Sequence, residues 1–313
     1  MTDGANGAKG RDDRQKDRAS NKYAAKKAAS ERLAAQRAAQ QKAERRRNVL
    51  VAGGSTLGVI IVVVVIVVVG LVSKKSSTST GSGNAVVGAS STVTNGISTA
   101  ATSTLSQASP DFSTVSGPPS TITGNPLTGS GGKPQVLYVG AEYCPYCAAT
   151  RWPLAVALAR FGTFDNLKTT YSSDTDQAGP HTPTLSFHGS SYTSQYIDFT
   201  GVEQEDGVGK PLETLTSAQN QLFTSLGGGG YPFIDFGGKW IQKGSAFSPT
   251  LLKGMTPDDV AKVLADPNSK QGKTVQASAD VFTAIICEMD GGKPSDVCTA
   301  PSVTAAEKAI TGK

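Results

Sequence analysis

Only two histidines and four cysteines occur in the 313 residues. A structural zinc site needs four ligands, typically a second CxxC or a histidine pair at matched spacing. Cys287 and Cys298 are too far apart for the usual knuckle, and His181 and His188 lie in a Gly/Pro/Ser-rich stretch. No metal is therefore expected, and no cofactor is implied. No internal repeat is present, which excludes solenoids and arrays. Residues 1–48 lack apolar periodicity, and residues 73–132 have few large apolar side chains. Neither stretch is expected to build a core.

Against that background one motif carries chemistry. The apolar run Val136-Leu137-Tyr138-Val139 leads into Ala141-Glu142-Tyr143-Cys144-Pro145-Tyr146-Cys147. This reads as a strand, a tight turn and the start of a helix. Cys144 would sit at the helix N-terminus, where unpaired N–H groups and the helix dipole favour a thiolate. Pro145 suits the first helical position because its missing N–H is not needed there. Cys147 lies one turn further on, close enough to close or resolve a disulfide. A redox dithiol is the preferred reading over half a zinc site or a purely structural bridge.

The compartment follows from a second feature. Val49 to Val72 is uncharged, and Ile60 to Val69 is wholly aliphatic. At about 1.5 Å per residue this stretch spans a bilayer core of roughly 30 Å. A buried core helix and a cleaved signal peptide are the alternatives; the long flank before the run argues against the second. Residues 1–48 carry 14 of the 30 Lys+Arg and only 6 of the 25 Asp+Glu. Lys42, Arg45, Arg46 and Arg47 on one side outweigh Lys74 and Lys75 on the other. The N-terminus is thus expected in the cytoplasm and the rest outside, in a single-pass arrangement. The basic arm fits anionic lipid headgroups rather than nucleic acid. Four cysteines facing an oxidising exterior read as two pairs, Cys144 with Cys147 and Cys287 with Cys298.

The expected organisation has five parts. Residues 1–48 form a basic, partly helical cytoplasmic arm, and 49–72 a transmembrane helix. Residues 73–132 are a Ser/Thr/Gly-rich flexible tether with an average reach of roughly 40 Å. Residues 133–300 form the globular domain, holding both tryptophans, both histidines and all four cysteines. Residues 301–313 are a C-terminal tail. Within the domain, strands are expected at 135–140, 167–172, 184–187, 195–200, 231–236 and 239–243. Helices are expected at 147–161, 214–226, 256–265 and 275–289, and Gly237-Gly238 makes a hairpin turn. Strand, CxxC helix, strand, then helix, hairpin and helix is the order of a thioredoxin-like α/β fold, a central mixed sheet flanked by helices. Residues 179–209 would be an insertion in it. That stretch would either line a groove beside the CxxC or pack over a sheet edge.

Ala141-Glu142-Tyr143-Cys144 is similar to the Ala-Glu-Trp-Cys lead-in of thioredoxins, and Pro145-Tyr146 is the dipeptide typical of glutaredoxins. More widely, the chain resembles the thioredoxin-like domain-of-unknown-function family 929. The segments that carry this are His181-Thr182-Pro183-Thr184-Leu185-Ser186-Phe187, Ser190-Ser191-Tyr192-Thr193-Ser194, Pro232-Phe233-Ile234-Asp235, and Ala284-Ile285-Ile286-Cys287 with Val297-Cys298. The resemblance implies a thioredoxin-like fold and no settled activity. It also implies that Pro232 is a cis-proline packed against the CxxC, with the backbone before it pairing with an incoming chain. The bland alternative is a trans-proline at an edge strand. Thioredoxins keep a buried Asp six residues before the first cysteine; here that position is Tyr138, a poor base near neutral pH. Glu142 is the neighbouring carboxylate that could assist through water.

These features point to a membrane-anchored extracytoplasmic thiol–disulfide oxidoreductase, an oxidase or isomerase before a reductase. Its partners would be protein thiols and disulfides of secreted or envelope proteins, and a membrane protein could recharge the dithiol. Cys144 would form the mixed disulfide, Cys147 resolve it, and Pro232 orient the partner. Tyr143, Pro145, Tyr146 and Tyr231 would line the substrate groove. Cys287–Cys298 would be a structural disulfide; a relay to Cys144–Cys147 would require the two pairs to meet. The alternative is a binding, chaperone or structural envelope module whose Cys144–Cys147 bridge stays shut.

Overall fold

The computed structural model describes residues 84–106 and 111–312. The basic arm, the expected span Val49–Val72 and the first part of the expected tether lie outside the described residues. Among those described, no helix is long and apolar enough to cross a membrane.

The strand read from the apolar run is present as β3 (Gln135–Gly140), where five of the six residues are buried. Earlier in the chain come β1 (Val87–Gly88), α1 (Ser91–Ser103) and β2 (Ser120–Thr121). The CxxC helix α2 (Pro145–Ala159) follows β3. Then come four short strands, β4 (Gly162–Asp165), β5 (Lys168–Tyr171), β6 (Pro183–Ser186) and β7 (Ser191–Ser194). They are followed by β8 (Asp198–Glu203) and α3 (Ser217–Ser225). The hairpin β9 (Phe233–Phe236) and β10 (Trp240–Lys243) forms where expected, but its loop is three residues, Gly237-Gly238-Lys239, since Phe236 pairs with Trp240 and Lys239 is not in the strand. Helices α4 (Pro257–Val263), α5 (Lys270–Asp290), α6 (Ser295–Cys298) and α7 (Pro301–Thr311) complete the described chain.

The main sheet is mixed, with the order β2-β10-β9-β3-β8. Strand β3 pairs parallel with β8 and antiparallel with β9. The α2 helix packs on this sheet and is buried on nearly every side, beneath α1 and α5. That is why its sequence is apolar all round rather than striped. Pro153 sits inside α2 without ending it.

The parallel neighbour of β3 differs from the expectation. It is β8, which falls inside the stretch expected as an insertion, and the expected strand 195–200 covers the link after β7 and only the first half of β8. The expected strand at 167–172 exists as β5 but belongs to a separate sheet, β1-β5-β6, and β4 pairs with β7. The departure from the expected strand order is therefore centred on β4 to β7. Parallel pairing is a long-range choice that local composition does not encode.

Two expected unstructured segments are part of the fold. The segment 73–132 contains α1, whose Val93, Ile97, Ala100 and Ala101 are buried in the main core. Their spacing is that of one helix face. Ser90 caps the helix by accepting from Val93 N. Gly96 lets α1 approach α4, since a Cβ there would clash with the Ala261 backbone. Small side chains make close helix contact possible, and they are also what made the segment look coreless. The tail 301–313 likewise forms α7, opened by Pro301, with Val303 and Ala306 buried. Helix α5 begins five residues before its expected start because Ser269 caps it and Gly272 fits against the Val263 carbonyl.

Candidate active site, a dithiol at a helix start

Cys144 is the N-cap of α2: its Sγ accepts a 3.3 Å hydrogen bond from Cys147 N–H. Both cysteines are free and buried. Cys144 is 6% exposed and Cys147 is fully covered. The two thiols are driven apart in acidity. Hydrogen bonding from the Cys147 side chain lowers the Cys144 pKa, reinforced by the helix-start amides and Arg151. Burial pushes the Cys147 thiol well above the ordinary range, and its hydrogen bond to Cys144 pushes the same way. Cys144 is thus the more readily ionised of the two sulfurs and Cys147 the one held back.

Ala141 joins the cysteines in a small cluster against which Tyr143 and Tyr231 pack. The Tyr143 carbonyl accepts from Ser173 N at 2.8 Å, so the loop after β5 is stitched to the residue before Cys144. Tyr143 also lines a cavity of about 430 Å³ with Asn84, Asp174, Glu205 and Val208. On the far side Tyr146, 44% exposed, and Tyr231 line a second hollow of about 560 Å³ with Lys243 and Phe247. Pro145 is buried beneath the same loop, near Gly179. Tyr143, Tyr146 and Tyr231 thus line hollows beside the dithiol, while Pro145 is buried. Tyr231–Pro232 is a cis peptide, and the Pro232 carbonyl accepts from Gly244 N at 3.0 Å.

Glu142 lies elsewhere than expected. Its side chain is buried and accepts from Ser186 Oγ at 2.6 Å. Burial pushes its carboxyl up, partly offset by that hydrogen bond. The carboxylate whose charge reaches Cys147 is Glu203, at the end of β8. Glu203 holds Arg151 in a bidentate pair, Nε–Oε1 2.8 Å and Nη2–Oε2 2.6 Å, with both side chains fully buried. Arg151 Nη2 also donates to the Ala141 carbonyl at 2.7 Å. Sequence reading missed this pair. Arg151 was visible as a cation in an apolar helix, four residues after Cys147 and hence on the same face. Its partner, 52 residues away, was not.

The histidines stand outside the dithiol cluster. His181 Nδ1 meets Asp174 at 2.6 Å and its ring stacks on Tyr171, while His188 Nδ1 lies 3.0 Å from Glu213. The residue groups expected for a metal site are absent among the described residues.

Cys287 and Cys298 are joined in a disulfide. Next to Cys287, Glu288 accepts from Trp240 Nε1 at 2.9 Å, and Met289 lies against Gly237 in the hairpin turn. The β3–β9 register runs from Val136↔Phe236 at that end to Val139↔Phe233 at the dithiol end. The bridge and the dithiol therefore sit at opposite ends of the sheet, which favours a staple over a relay.

Fold and site together define a mixed α/β protein with a paired dithiol at the start of a buried helix. The chain belongs to the family described as Domain of unknown function (DUF929), whose model matches residues 121–288. No curated protein and no solved structure matches it.

Proposed function

We propose that this chain is a thiol–disulfide oxidoreductase with a thioredoxin-like fold, held on the outer face of a membrane by Val49–Val72. The observation that carries the reading is the division of labour within one helical turn. Cys144 is made acidic by hydrogen bonds to its sulfur, while burial keeps Cys147 protonated. A dithiol with one ready nucleophile and one held-back resolving thiol suits exchange. The sheet order, with β8 parallel and β9 antiparallel to β3, supports the fold reading. Substrates would be protein thiols and disulfides, met across the ring of Tyr143, Tyr146 and Tyr231. The cytoplasmic arm would rest on anionic lipid, and a membrane partner would reset the dithiol.

The test is the reduction potential of Cys144–Cys147 in the full chain, together with exchange by a Cys144→Ser variant. A potential near or above about −200 mV marks a donor of disulfides, and one near −270 mV a reductant. The variant should lose exchange entirely. Exchange that survives in Cys144→Ser, or a potential below about −300 mV, would replace this reading with a binding module whose bridge stays closed.

A further inference from the structure

The Tyr138 hydroxyl is a buried polar group left without a hydrogen-bond partner. Such groups are rare, and each needs a reason. Tyr138 lies on β3 with its ring toward α2, and its hydroxyl reaches over Gly140, where a Cβ would collide with it. Arg151 covers the ring, its guanidinium carbon 5.7 Å from the centroid. The hydroxyl ends at the Gly140 end of β3, the end that leads into Cys144 and Cys147, and Cys147 is the thiol whose charge acts on it. The charged and titratable groups that act on Cys147 are Cys144 and Arg151 from α2 and Glu203 from β8; Cys147 acts in turn on Tyr138 of β3, and Tyr143 and Tyr231 pack against its cluster.

We propose that Tyr138 donates its hydroxyl hydrogen to the Cys147 sulfur while that sulfur carries charge, with Arg151 and Glu203 as positioning residues. The inference rests on the exchange reading above. In the oxidised protein a substrate thiolate attacks Cys144 Sγ. A bond from the substrate sulfur to Cys144 forms as the Cys144–Cys147 bond breaks, and Cys147 leaves with the electron pair. A second substrate thiolate then displaces Cys144. The substrate loses two electrons, the dithiol gains them, and Cys147 takes up a proton given up by the substrate thiols. Negative charge thus appears transiently on a sulfur with no access to water. A preorganised donor with no competing partner at rest stabilises that moment selectively. It replaces a base by a donor: no proton is handed to Tyr138. Glu203 clamps Arg151 bidentately, so the cation stays beneath the site.

The experiment is the reduction of the oxidised full chain by dithiothreitol, wild type against Tyr138→Phe, followed by stopped flow. Losing a hydrogen bond to a charged group should slow release of Cys147 by about tenfold. Alkylation of Cys144 by iodoacetamide in the reduced chain, where Cys147 does not leave, should stay near the wild-type rate. Equal slowing of both, or of neither, overturns the proposal. Should Tyr138→Phe fail to fold, fluorotyrosine at position 138 is the same shape and a stronger donor. It should speed the dithiothreitol step, and an unchanged rate overturns the proposal. Dithiothreitol reads the dithiol directly, so an absence of exchange with protein substrates would defeat the functional reading without touching this result.

Discussion

Two arginines with buried side chains serve helix α2, one in its middle and one capping its C-terminus, and they are used differently. Arg151, one turn after Cys147, is clamped by Glu203 and faces titratable thiols and a phenol. Arg160, just past the last turn, pairs with Asp280 at 2.6 Å and is otherwise surrounded by neutral groups. It donates to Thr283 Oγ1 at 2.7 Å and Thr104 Oγ1 at 3.1 Å. Buried cations need partners wherever they are. In the middle of α2 the partner also sets the charge felt by a reactive sulfur. At its C-terminus it ties α1, α2 and α5 together. The same contrast separates the two cysteine pairs, one free beyond Gly140 and one bridged beside the hairpin turn.

The comparison is sharpest where one buried partner is removed. Glu203→Gln should destabilise the fold by about 3–5 kcal/mol in denaturant titration, because Arg151 keeps its charge without a counterion. The surviving protein should show easier ionisation of Cys147, since Glu203 opposes that charge. Asp280→Asn should cost less. Arg160 retains its hydroxyl partners, and burial already holds the Asp280 carboxyl above its usual range. Its dithiol should react at the wild-type rate; altered thiol kinetics in Asp280→Asn would erase the distinction between the two arginines.

Opening the bridge comes next in size. Replacing Cys287 and Cys298 together by Ala should lower stability by about 3 kcal/mol for a loop of this length. Reduction of Cys144–Cys147 should proceed unchanged, because the pairs sit at opposite ends of the sheet. A shifted potential for the dithiol would return the relay reading.

The smallest effect is at Asp290, three residues after Cys287. Burial raises its carboxyl to about 6, against hydrogen bonds from Lys293 and Gly292 N–H. The folded state therefore holds a proton that the unfolded state releases near pH 4, so stability falls as pH rises from about 4 to 6. Asp290→Asn keeps an acceptor for both N–H groups and should flatten that part of the stability curve. An unchanged slope would place the titrating group elsewhere. Neither the opened bridge nor Asp290→Asn should move the chemistry of Cys144.

What the sequence showed was what local spacing encodes. The apolar run, the CxxC and Pro145 located β3 and α2 to within a few residues, and Gly237-Gly238 located the hairpin. The tyrosines beside the dithiol were also legible, because Tyr143 and Tyr146 flank Cys144 in sequence. What failed were pairings over distance. The partner of β3 was hidden because Asp198–Glu203 reads no more strongly as a strand than its neighbours. Helix α1 was hidden because its buried face is made of Val, Ile and Ala among Ser and Thr. Glu142 was picked for its nearness in sequence, yet its side chain turns to Ser186, and the charge that reaches Cys147 comes from β8.

The cap at Cys144 has one more consequence. The first turn of α2 is closed by the same sulfur that would do the chemistry, through the Cys147 amide. A sulfur bonded to a second sulfur is a poorer acceptor than a thiolate, so every change at Cys144 loosens or tightens that turn. The Cys147 amide proton is then a one-atom gauge of redox state, readable by its exchange with deuterium, without any label on the sulfur itself.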